Sequence, residues 1–78
     1  MTDFTKMTRL CDVADVAEAV RTYFKRDRLP EDYSDIVKRA ERWLNEEGDC
    51  CIASCHESRT GRALFTRREA GRLAVYER

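Results

Sequence analysis

From Asp12 onward the apolar residues keep a helical period. Val13, Val16, Ala17, Val20 and Phe24 recur at i, i+3, i+4, i+7 and i+11, with Tyr23 on the flank, which predicts a helix with one apolar face. Asp12 is placed to cap it. Asp15 and Glu18 suit its positive end, and Arg21, Lys25 and Arg26 its negative end. Before it, Phe4, Met7 and Leu10 stand three apart, which fits either an extra helical turn or an arm lying on the core. Leu29-Pro30 is a stop, because a residue preceding proline is pushed out of the α region, and Pro30 then suits the first turn of a second helix. That helix carries Tyr33, Ile36, Val37, Ala40, Trp43 and Leu44 as its stripe and ends at Gly48, where a left-handed cap belongs. So short a connection predicts an antiparallel helix hairpin over about residues 12–47.

Beyond Gly48 the period changes. Cys50 to Glu57 reads as a strand, Ser58-Arg59-Thr60-Gly61 as a turn and Ala63 to Thr66 as the returning strand. Residues 67–77 fit two templates. Thr66-Arg67-Arg68-Glu69 matches a capping box, with Phe65 and Ala70 as its staple, and favours a helix with Ala70, Leu73 and Ala74 inward. Against it, Gly71 is costly inside a helix, and Leu73-Ala74-Val75-Tyr76 suits a third strand. The expected fold is α+β, one small domain over residues 1–78: a helix hairpin, a β-hairpin and a short C-terminal helix (ααββα), with ααβββ as the alternative.

Composition limits what such a chain can do. With 78 residues there is one small core and no second layer around a deep pocket. A net charge of zero with 38% charged residues argues against binding nucleic acid by bulk attraction. The charges are nevertheless segregated: residues 1–49 hold 12 acidic and 9 basic side chains, and residues 50–78 hold 3 acidic and 6 basic ones, all six arginine. The start lacks an apolar signal core and no stretch is long enough to span a membrane, so a cytoplasmic location is expected, where four cysteines are free thiols.

Cys50, Cys51, Cys55 and His56 invite a zinc reading, but in an extended strand residues four apart diverge and neighbours point to opposite faces. They are read as small buried apolar thiols, with no metal, no cofactor and no catalytic residue expected; a zinc-stabilised adaptor is kept as an alternative. His56, the only histidine, is turned away from Cys55 by the same geometry, and the sequence holds no phosphate loop or dinucleotide fingerprint.

What remains is surface recognition. Arg59, Arg62, Arg67, Arg68 and Arg72 crowd the hairpin and the C-terminal segment, and arginine suits bidentate contacts with carboxylates and phosphates. Glu46, Glu47 and Asp49 break a local rule, since acids are disfavoured at the negative end of a helix. Either the hairpin arginines fold back onto them or they face a basic partner. Trp43 and Tyr23 flank their helices' stripes and are candidate anchors. The leading expectation is a non-enzymatic module that docks on a protein through these ten residues. In size and charge density the chain is similar in kind to phage-encoded inhibitors, including anti-CRISPR proteins that block nucleic-acid-handling complexes, a likeness that assigns no residue. The alternative partner is nucleic acid, through a rough winged-helix arrangement in which the second helix supplies Lys38, Arg39 and Arg42. Homodimerisation through an exposed helical face is a further expectation for so small a core.

Overall fold

The helical period before Val16 conceals a strand. In the computed structural model, which describes residues 3–25 and 30–78 but no side chain of residues 30–32, a 3-10 turn at Phe4–Lys6 leads into β1 (Thr8–Val13). There follow α1 (Val16–Tyr23), α2 (Pro30–Glu47), β2 (Asp49–Ala53), β3 (Leu64–Glu69) and β4 (Arg72–Glu77). The fold is α+β, two helices with an antiparallel four-stranded sheet in the order β1-β4-β3-β2. In place of the expected ααββα, the order of elements is βααβββ.

Two corrections explain the difference. Asp12 lies in β1, and the cap of α1 is Asp15, whose Oδ1 accepts from the Glu18 N–H at 2.9 Å while Glu18 Oε2 accepts from the Ala14 N–H at 2.6 Å. The helix therefore starts one turn later, with Ala19 rather than Ala17 fully buried. The C-terminal helix is absent because residues 64–77 form a tight hairpin. Glu69 pairs with Arg72, so Ala70 and Gly71 alone make the turn, at φ +50° and +78°. Positive φ at both positions marks the I′ turn whose twist matches the flanking strands. β3 and β4 are the inner strands, and the run Leu73 to Tyr76 is buried on both faces, so it loses the alternation by which a strand is recognised.

One face of the sheet carries the helices. Val13 of β1 packs here with Val16, Val20 and Phe24, Ala40 and Leu44, which the two stripes place inward, and with Ile52, Leu64, Leu73 and Val75, and Tyr33, Ile36 and Val37 are half-buried against them. The other face carries a smaller cluster of Phe65, Ala74 and Tyr76, closed by Phe4, whose ring meets Tyr76 edge-on at 4.8 Å. The N-terminal segment is therefore divided: Phe4 and Met7 lie on this face, whereas Leu10 belongs to the strand β1, which neither expected form included.

Gly48 follows α2 at φ +86°, its N–H bonded to the Leu44 carbonyl at 3.0 Å, and turns the chain directly into β2. α2 begins at Pro30 as the sequence indicates, whereas Arg26 and Leu29 lie outside the described residues. The expected strand from Cys50 to Glu57 ends at Ala53. Glu57 Oε2 accepts from the Ser54 N–H and the Glu57 and Ser58 N–H groups both donate to the Ser54 carbonyl, forming a turn. The β2–β3 connection is therefore long, and it is stitched to the end of α1: Lys25 N–H to Glu57 carbonyl at 3.1 Å, Arg59 N–H to Tyr23 carbonyl at 2.7 Å. Ser58, fully buried, holds this loop by donating to the Arg62 carbonyl and accepting from the Arg62 N–H.

Candidate functional site

The arginines do not form one patch. Strand alternation sends them to different places. Arg67 lies on the helix-free face, its guanidinium carbon 4.6 Å from the Phe4 ring centre and 5.1 Å from that of Tyr76, bonded through Nε to Glu69 at 2.6 Å. Arg72 bonds Asp12 at 3.0 Å across the sheet. Arg68 reaches Asn45 on α2 at 3.3 Å, Arg59 reaches the Thr22 carbonyl at 3.3 Å, and Arg62 stands exposed in the loop. Arg78, not singled out in the sequence, covers the Phe65 ring at 4.7 Å. Bonds to Glu69 and then to Tyr76 hold the Arg67 proton more firmly than usual.

Tyr23 is also built into the fold. Its hydroxyl lies 2.6 Å from Cys11 Sγ, joining α1 to β1, and burial with this contact pushes its pKa up to about 12. The thiols are less buried than expected. Cys11 and Cys50 are half-buried, but Cys51 and Cys55 are exposed, because β2 lies at the sheet's edge and the strand ends before Cys55. Burial raises the pKa of both Cys50 and Cys51. Cys50 bonds Thr66 Oγ1 at 3.3 Å and Cys51 the Ala53 carbonyl at 3.5 Å, so three of the four thiols have hydrogen-bond partners other than His56. Among the described residues, no group of three or more His, Cys, Asp and Glu side chains is placed to hold a metal ion.

Trp43 is different. It is 46% exposed, the one large hydrophobic side chain so exposed among the described residues. It stands over an open cleft of about 290 Å³ between α2 (Ile36, Arg39, Ala40, Trp43) and β2 with the turn after it (residues 51–54 and 57). β2 ends the sheet, so among the described residues no strand pairs with its outer edge, and Gly48 keeps α2 beside it. The other edge, β1, is interrupted by the charges Arg9 and Asp12, whereas β2 has one charge, Asp49, at its start.

Lys38, Arg39, Arg42, Glu46 and Glu47 are exposed on α2, Arg39 alone of them lining this cleft, and no described residue forms an ion pair with any of them. Asp49 pairs with Arg67 in the β2–β3 register. Trp43, Glu46 and Glu47 thus share the last turns of α2, and most of the arginines singled out in the sequence lie elsewhere. Sequence reasoning missed Arg39 as a companion of Trp43, although the four-residue spacing Arg39-Trp43-Glu47 marks a single helical row. No helix among the described residues is long and apolar enough to cross a membrane. Comparison with known proteins finds no matching family model, curated protein or solved structure.

Proposed function

We propose that this chain is a non-catalytic binding module that docks on protein through the face formed by α2 and the outer edge of β2. One observation carries the reading: a half-exposed tryptophan overhangs an open cleft at a strand edge that no described strand pairs with. Tryptophan is the residue most enriched among interface anchors, and a groove beside an open edge accepts both side chains and backbone. An inhibitor of the phage or mobile-element kind would use such a rigid, preformed face.

A photoreactive residue placed at Ser54, which lines the cleft, tests it in the source cells, with Thr8 on the opposite edge as control. A nuclease-insensitive protein adduct from position 54 and none from position 8 is the expected result. Equal labelling at both positions, or none at either, refutes the reading.

The row of Lys38, Arg39 and Arg42 favours a second reading, contact with nucleic acid phosphates, although the strands after α2 join β1 in one sheet rather than standing as a free wing. A gel shift that weakens steeply with salt supports it, and no shift at low salt removes it.

A further inference from the structure

α2 is built to complement itself. Arg39, Trp43 and Glu47 follow one another at four-residue intervals, and Lys38, Arg42 and Glu46 form the neighbouring row. From Lys38 to Glu47, one turn beyond the exposed Asp35, both rows run from basic to acidic, and the acids at their C-terminal end go against the preference of the helix dipole. A partner surface of one sign would meet repulsion at one end of either row. The surface that satisfies both ends carries the same series in the reverse direction, and an antiparallel copy of this helix is such a surface.

We propose that the Trp43 cleft is occupied by the same edge of a second copy of this chain, in a two-fold dimer with Trp43 at the axis and Arg39 facing Glu47 of the partner subunit. This rests on reading the cleft as a protein-docking face. Laid antiparallel about Trp43, residues equally far before and after it come opposite each other, so Arg39 meets the partner's Glu47 and Glu47 meets the partner's Arg39. The strands agree with this axis. Measured from Gly48, Trp43 lies about 7.5 Å back along α2 and Cys51 about 10 Å along β2, at rises of about 1.5 and 3.3 Å per residue, so these two residues, which line the same cleft, stand at similar heights. The bulge between Cys51 and Ala53 interrupts a regular ladder along β2, so the helix contact carries the interface, with the strand edges beside each other beneath it. A chain of this length leaves roughly a third or more of its unfolded surface uncovered when it folds alone, and pairing covers its most apolar exposed side chain.

Sedimentation equilibrium on the purified full chain tests the proposal. The expected result is a dimer whose dissociation constant rises by about a hundredfold in Trp43→Ala and by about tenfold in Arg39→Glu and in Glu47→Arg. The double variant R39E/E47R, and an equimolar mixture of the two single variants, return to within about threefold of wild type, since each restores opposite charges across the axis. If Trp43→Ala fails to fold, the charge exchange decides alone, because both charged residues are exposed. A wild type that stays monomeric at every attainable concentration overturns the proposal, as does a dimer indifferent to the exchange. A monomer that still gives a foreign adduct from position 54 overturns the second copy and leaves the docking face standing. A monomer with no adduct removes both.

Discussion

Arg67 donates to Glu69 across a single intervening residue, Nε to Oε2 at 2.6 Å, and Tyr76 donates its hydroxyl to the same carboxylate oxygen. The bond from Tyr76, followed by that from Arg67, holds the Glu69 carboxyl below its ordinary pKa. A carboxyl depressed in the folded state adds stability above its unfolded pKa and loses it as pH falls through the folded one. Thermal unfolding across the acid range is expected to show wild type more stable than Glu69→Gln at neutral pH, with the gap closing as the solution is acidified. A gap that is constant with pH would contradict this role.

Tyr23 gives the opposite limb. Burial, then the bond with Cys11, raises its pKa to about 12, so the fold favours the neutral phenol. That contribution is complete below the unfolded value of about 10 and is lost as pH rises toward about 12. The stability difference between wild type and Tyr23→Phe is expected to shrink over that interval, and ultraviolet titration should show one phenolate appearing near its upper end.

Ala70 holds φ +50°, where a Cβ is crowded by its own backbone. Ala70→Gly, or Ala70→Asn, is expected to stabilise the protein by about 0.5–1 kcal/mol, and Gly71→Val to destabilise it by at least about 1 kcal/mol, in urea unfolding. If Ala70→Gly destabilises, the turn is not the I′ type its dihedrals indicate.

Ser58 is fully buried and bonds the backbone of Arg62 in both directions. Ser58→Ala takes the donor from the Arg62 carbonyl, while the Arg62 N–H keeps Thr60 Oγ1 at 3.2 Å, at a cost of about 1–3 kcal/mol. Hydrogen exchange is expected to accelerate through residues 54–62 before it does so in β3.

The thiols offer a direct check on burial. Brief alkylation of the native protein is expected to modify the exposed Cys55 first, and Cys51 with it or after it, ahead of the half-buried Cys11 and Cys50, a difference that denaturant removes. Uniform labelling of all four would contradict the packing of β2 beneath α2.

The helices were legible because each has a single wet and a single dry side. Val16, Val20 and Phe24, and Ala40 and Leu44, repeat at 3.6 residues and are buried as that period demands. Gly48 was equally plain. β1 was not, since Leu10 falls at a bulge that breaks its alternation, and Val13 continued the helical period by coincidence of spacing. β4 was obscured for the reason that makes it central: cover on both faces erases the pattern that identifies a half-buried strand. In the candidate site, Trp43 and the acids at the end of α2 could be read directly. The open edge beside them could not, because which strand ends a sheet depends on pairings between residues far apart in sequence.

The strand order also constrains how the molecule is made. Among the described residues β1 pairs with β4 alone, and the bond from Arg72 to Asp12 spans 60 residues. A growing chain can coil α1 and α2 as they emerge, but Val13 has no sheet to join until the final strand is synthesised. Closure is therefore a late, long-range step of the slow kind. A ribosome that stops before Arg72 releases a product without the middle of its sheet, which leaves β1 and β3 with nothing between them.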